Sequence, residues 1–268
     1  MKNITLGRYL PLDSLIHKLD PRIKIMSMIF LMVSVFLVGG SSPFIAYGVL
    51  LIVMLLITLM AKLTITYVIK TMKPMIFMMV FLSVINIFAY KTGTLLVDIG
   101  FIKIYSDALI NTLFIILRLM IMIMITTILT ATTAPLDLTL GIEDLLKPFK
   151  VIGVPSHEIA MMISIALRFI PTLIEDTQRI MNAQSSRGVD FQEGSLKEKV
   201  VGIASLIVPL FMSAYNRAED LADAMEARGY YPGKERTRFK QLKVRLNDYI
   251  ALTFSLGMCF VVFFTTRL

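Results

Sequence analysis

The chain has 268 residues, 56% of them hydrophobic and 17% charged, with a mean hydropathy of +0.76 and a formal net charge of +8. Soluble domains are about 45–50% apolar and about 25% charged, so this composition argues against a soluble globule and for a polytopic membrane protein. The lone cysteine, Cys259, excludes an internal disulfide or a cysteine metal cluster, and His17 and His157 are too far apart in sequence to suggest a metal site.

The amino-terminal stretch carries Lys2, Arg8, Lys18, Arg22 and Lys24. Asp20-Pro21 reads as a helix start, because aspartate caps a helix and proline fits its first position. Ile23 to Val38 is the first apolar run, closed by Gly39-Gly40-Ser41-Ser42. That turn resembles a cleavage region, but the run is long and late for a signal peptide and reads as a retained helix. Pro43 to Ala61 is a second span without charge, Lys62 to Lys73 a link with three lysines, and Pro74 to Tyr90 a third span. Lys91 to Asp107 reads as a loop with Gly93 and Gly100 as breakers. Ala108 to Thr133 is a fourth span, interrupted by Arg118, and Tyr249 to Phe264 a fifth.

Residues 134–245 form the polar part, with 15 of the 27 basic and 14 of the 19 acidic residues. With five spans, an internal amino terminus places 23 of the basic residues on the cytoplasmic side and three on the other. The short loops alone favour the same orientation. The basic excess therefore reads as cytoplasmic loops rather than as a nucleic-acid surface. The expected organisation is all-α: a membrane region of four spans at 1–133, a cytoplasmic region at 134–245 and a last transmembrane helix at 246–268.

Two long helical patterns fill the polar part. The first opens at Pro155-Ser156, is apolar from Ile159 to Ile174 with Arg168 and Pro171 inside, and then turns amphipathic. There Thr177, Ile180, Met181 and Gln184 share a face against Glu175, Asp176, Arg179 and Asn182. It stops at Ser186-Arg187-Gly188. The second opens with the capping box Ser195-Leu196-Lys197-Glu198 and is apolar from Val200 to Tyr215 around Pro209. It places Ala218, Leu221, Ala222 and Met225 opposite Arg217, Glu219, Asp220 and Asp223, and stops at Ala227-Arg228-Gly229. The two arginines are 41 residues apart, a weak internal repeat. Each apolar half has about 16 residues, short for roughly 30 Å of hydrocarbon. These halves read as kinked helices along the membrane surface; were they to cross it, Arg187, Lys197 and Lys199 would lie outside.

An arginine near a helix end followed by glycine is ordinary capping chemistry. Two in parallel positions invite a second reading, in which each guanidinium fits a carboxylate-lined socket on a partner. The segments Arg179 to Phe191 and Ala224 to Tyr230, with the opening Leu12-Asp13-Ser14 to Leu19-Asp20-Pro21-Arg22, resemble the T components of energy-coupling factor transporters over nearly the whole chain. In that family two Ala-Arg-Gly-like motifs end the coupling helices; here Ser186 replaces the first alanine. The resemblance implies a membrane scaffold that uses Ser186, Arg187, Gly188, Ala227, Arg228 and Gly229 to bind two ATP-binding-cassette ATPases. A membrane-embedded substrate-binding subunit, the S component, would dock on the apolar halves near Ile207 and Leu210. It would select the vitamin or metal ion carried.

Arg118 reads either as an intramembrane charge facing a cavity or partner, or as a snorkelling residue. The 19 methionines read as lipid-facing and core filler, or as an adaptable docking surface. The acidic residues Glu175, Asp176, Glu219, Asp220 and Asp223 read as solvated helix faces. No phosphate-binding glycine loop, HExxH or Gly-x-Ser-x-Gly motif is present, and no cofactor is implied. The alternative function is a membrane enzyme acting on a phosphate-bearing lipid through Arg118 or Arg168.

Overall fold

A computed structural model describes residues 9–39, 43–89, 92–99, 102–153, 155–191, 195–231 and 242–267. Lys2, Arg8, Lys91, the breaker Gly100, the 40–42 part of the first turn and the basic stretch 234–240 lie outside them. The chain forms two compact units, one from Gly7–Leu145 with Leu242–Leu268, the other from Leu146–Gln241.

The first unit contains α1 (Pro21–Leu37), α2 (Pro43–Met60), α3 (Ile65–Ala89), β1 (Leu95–Ile99), β2 (Ile102–Tyr105), α4 (Ser106–Thr132), α5 (Pro135–Leu146) and α8 (Leu246–Arg267). α1 packs against α8 and α4, α2 against α4 and α8, and α3 against α4. Their shared core holds Val35, Tyr47, Leu50, Met54, Ile121, Ile125, Met258 and Val262. Helical apolar spacing puts one face of each helix into this core and leaves the rest outward. Exposed Phe77, Val80, Phe81 and Phe88 on α3 suit a lipid surround.

Two sequence-based expectations change. The lysine link at 62–73 is not a separate loop: α3 starts at Ile65 and runs through Lys70, Lys73 and Pro74. Proline removes one ladder bond, and a long apolar helix tolerates that loss. Part of the expected 91–107 loop is an antiparallel hairpin, with Leu95 opposite Tyr105 and Ile99 opposite Ile102. Its β-branched and aromatic residues outweigh the glycine signals.

The start of α1 is tied down by a buried polar network. The Asp20 carboxylate accepts from Arg22 N at 2.9 Å, as the capping reading expects. Asp248, only 1% exposed, accepts from Asp20 N at 2.7 Å and from Arg245 N at 2.6 Å, joining α1 to the first turn of α8. Arg22 forms an ion pair with Asp144 of α5. Gly141 of α5 lets Pro21 approach closely, since a Cβ there would meet Pro21 Cβ at 3.0 Å. Lys24 Nζ donates to the His17 and Thr132 carbonyls at 3.1 and 2.9 Å. His17 in turn contacts Ser14 Oγ through Nδ1 at 2.7 Å and the Leu10 carbonyl through Nε2 at 3.0 Å. A carbonyl needs a donor, so Nε2 carries the proton and Nδ1 accepts from the hydroxyl. Burial holds the His17 pKa below its usual 6.5.

The second unit holds a 3-10 turn (Lys147–Ile152) and two long helices, α6 (Ser156–Ser186) and α7 (Leu196–Ala227). Among the described residues six helices are long and apolar enough to cross a membrane: α2, α3, α4, α6, α7 and α8. The sequence-based set of five instead includes α1, which has 17 residues, and omits α6 and α7. Those two qualify because each runs unbroken through its proline, for 31 and 32 residues.

Candidate interaction site

α6 and α7 pack side by side, and their cross-contacts give the direction. Asp176 meets Arg217 at 2.7 Å, Gln184 reaches the Ser205 carbonyl at 3.3 Å, and Gly202 lies beside Val189. Rising numbers on α6 meet falling numbers on α7, so the pair is antiparallel. A half-buried stripe on α7 follows helical spacing: Gly202, Ser205, Leu206, Pro209, Leu210, Ser213, Arg217, Leu221 and Met225. This corrects one expectation. Asp176 and Arg217 are not solvated: their side chains are 12% and 29% exposed and pair across the helices, with Arg217 5.9 Å from the Phe169 ring centre. Glu175, Arg179, Asn182, Glu219, Asp220 and Asp223 are exposed, as expected, and so are Ala218 and Ala222.

The capping box at Ser195 is present: its N–H donates to Glu198 Oε2 at 2.7 Å and its hydroxyl accepts from Glu198 N at 3.4 Å.

The two arginine-bearing ends are built alike. In α6, Gly188 N donates to Ser185 O at 3.0 Å and Val189 N to Gln184 O at 3.1 Å. In α7, Gly229 N donates to Glu226 O at 2.8 Å and Tyr230 N to Met225 O at 2.9 Å. Both are complete Schellman motifs. The glycines sit at φ +87° and +72°, a conformation that L side chains rarely adopt. Each arginine is therefore the C-cap residue, at φ −89°, ψ 6° for Arg187 and φ −87°, ψ 10° for Arg228. Both side chains are exposed, and neither has a hydrogen bond or ion pair among the described residues. Ser186 bonds its hydroxyl back to Asn182 O at 3.0 Å, so it presents little more than alanine would.

Because the pair is antiparallel, the tips lie at opposite ends. Arg187 follows Gln184, which touches residue 205 of α7. Arg228 lies 23 residues further along α7. At 1.5 Å per residue the tips stand roughly 35 Å apart. One helix pair thus offers two guanidinium groups, each unpaired among the described residues, at two separate points.

The outer face of α7 is apolar: Val200, Ile203, Ile207, Val208, Phe211, Met212 and Tyr215 are all more than half exposed. Of the two docking residues expected from sequence, Ile207 lies on this face at 56% exposure. Leu210 lies on the half-buried stripe.

The two arginines of the alternative reading are in different units. Arg118 donates from Nε to Tyr47 OH at 3.0 Å and from Nη2 to Val38 O at 3.5 Å, at the carboxyl end of α1. A guanidinium there meets the negative end of a helix dipole and a buried phenol, a fastening role that α4 alone does not reveal. Arg168 is exposed on α6. Among the described residues no group of three or more His, Cys, Asp or Glu is placed to hold a metal ion. Gln184, the Asp176–Arg217 pair, Lys24 and Asp248 were not singled out from sequence. Pro209 was the one available signal, since a proline inside a helix leaves the carbonyl four residues earlier without its donor.

Residues 13–239 match the family model described as CbiQ, cobalt transport protein. The chain is 44% identical to the energy-coupling factor transporter transmembrane protein of Macrococcus caseolyticus over 94% of each chain. It is 46% identical to the one from Clostridium kluyveri, over 94% of this chain and 92% of the relative. It is 43% identical to the one from Bacillus subtilis, over 90% of each.

Proposed function

The chain belongs to the family of energy-coupling factor transporter transmembrane proteins, and on that premise we propose that it is the scaffold through which two ATPases drive uptake by a substrate-binding membrane subunit. It lies in the plasma membrane of a prokaryote, with the amino terminus and the 134–245 region in the cytoplasm. The 1–133 and 246–268 regions provide the membrane anchor. The scaffold hydrolyses no ATP itself: the chemistry belongs to the ATPases and the choice of vitamin or metal ion to the S component. The Arg118 contacts with Tyr47 and Val38 weigh against a lipid-phosphate enzyme reading, because that guanidinium is already engaged.

One observation carries the proposal: the two Schellman-capped ends, each presenting an exposed arginine, at opposite ends of one helix pair. Each tip serves one ATPase, entering an acidic groove with Ser186 or Ala227 against its wall and Gly188 or Gly229 turning the chain away. The apolar face of α7, Ile207 included, serves the S component. Leu210 is a poorer probe of that docking, since a charge there also disturbs the helix pair.

The test is capture of the two ATPases by variants of the scaffold. Truncating one partner of a buried charged pair costs about 2–5 kcal/mol. Arg187→Ala and Arg228→Ala should each weaken one attachment, and the double variant should lose assembly and uptake while remaining inserted. Lysine at both positions should restore capture only in part, because it keeps the charge and loses the planar fork. Wild-type capture by the double alanine variant would remove the tips from the mechanism.

A further inference from the structure

Pro209 has no N–H, so the Ser205 carbonyl, four residues back in α7, lacks the i+4 donor that the helix would otherwise give it. The structure shows what takes the place of that donor: Nε2 of Gln184, reaching over from α6 at 3.3 Å. Gln184 has a second task. Its own carbonyl accepts from Arg187 N at 3.0 Å and Val189 N at 3.1 Å, so it is the residue on which the α6 cap closes. One residue thus holds the Arg187 tip through its main chain and the proline site of α7 through its side chain.

We infer that Gln184 is a positioning residue that couples the Arg187 tip to α7 through the carbonyl left open by Pro209. The inference rests on the scaffold reading above. A force on the tip passes through the Gln184 amide into the middle of α7, next to Ile207 and Val208 on its apolar outer face. Only a side chain with a donor can make this link, and the Ser205 carbonyl is open to it without competition while α7 lacks its own donor at 209. The same bond can therefore be weakened from either side. Gln184→Leu removes the donor at similar size. Pro209→Ala returns to α7 an N–H that competes for the Ser205 carbonyl.

Two measurements test it. The first uses the chain alone, with Cys259 replaced and spin labels at the exposed positions Asn182 and Ala204. Both single variants should broaden the distance distribution between the labels, and the double variant should broaden it no further. The second uses the assembled transporter in proteoliposomes and reads substrate taken up per ATP hydrolysed. Each single variant should lower that ratio by about twofold to about thirtyfold, the range of energetic coupling effects away from the ligand sites, with ATPase capture unchanged. The double variant should match the worse single, because both changes break one bond. Unchanged distances, or losses that add in the double variant, overturn the inference. Failure of the wild-type chain to capture ATPases overturns the scaffold reading instead, and the distance measurement still decides on Gln184.

Discussion

The two units handle charge in opposite ways. In the first, three charged groups are buried and met: Asp248 by two backbone N–H groups, Asp144 by Arg22, Lys24 by two carbonyls. In the second, the cross-helix pair Asp176–Arg217 is partly shielded, while the two arginines at the helix ends are exposed and have no partner among the described residues. A buried charge without a partner is costly, so the first unit cannot leave one exposed to hydrocarbon. A bare surface arginine costs little and keeps all its donors for another molecule.

This contrast is sharpest at Asp248. Replacing it with alanine strands the N–H groups of Asp20 and Arg245 and loosens α1 from α8. Hydrogen bonds to a charged group are worth about 1.5–3 kcal/mol each, so a loss on the order of 3 kcal/mol is expected. The measurement is the thermal unfolding midpoint in detergent, and Asp248→Asn should recover part of the loss. A midpoint equal to wild type would mean that the buried network of the first unit is not what fastens its helices.

Next come the cap glycines. Gly188→Ala and Gly229→Ala face open space, so sterics with neighbours are not the issue; the positive φ is. The strain of a left-handed L residue is about 1–2 kcal/mol. It should be relieved by fraying the cap, which changes the aim of the arginine. ATPase capture should fall by less than with the arginine truncations, while the unfolding midpoint of the first unit stays put. A lowered midpoint with normal capture would reverse the roles assigned to the two regions.

The smallest effect belongs to His17. Burial holds its folded pKa below 6.5. As pH falls below about 6.5 the unfolded chain takes up the proton first. Stability that is complete above that pH is therefore lost as pH drops through the lower folded value. Unfolding midpoints at about pH 7.5 and about pH 5.5 should differ by less in His17→Gln than in wild type. An equal acid loss in both would place the titrating group elsewhere.

Much of this was legible in the sequence. Apolar runs and breakers located the long helices, and Asp20-Pro21 and Ser195 to Glu198 marked two helix starts by side-chain chemistry that acts within a few residues. The glycines after Arg187 and Arg228 likewise read as helix ends, because a left-handed cap is a local preference. What stayed hidden depends on register between distant segments. Nothing in the spacing of α6 and α7 tells whether they run parallel or antiparallel, so Asp176 and Arg217 looked like solvent-facing residues. Arg118 stayed ambiguous because its partners, Tyr47 and the Val38 carbonyl, are about 70 and 80 residues away. The hairpin at 95–105 was missed because two glycines in the seventeen residues from Lys91 to Asp107 outweighed its alternating pattern.

The antiparallel pair also acts as a gauge. Both tips belong to one packed body, so on the proposed reading the interval between two bound ATPases would be set by the length of α7. Deleting seven residues of its exposed carboxyl-terminal half, close to two turns, would shorten the interval by about 10 Å and leave the arginine pointing nearly the same way round the helix axis. A scaffold with this build would set the distance at which its partners stand, and two motors held to a fixed distance could close on each other only by tilting or bending the bar between them.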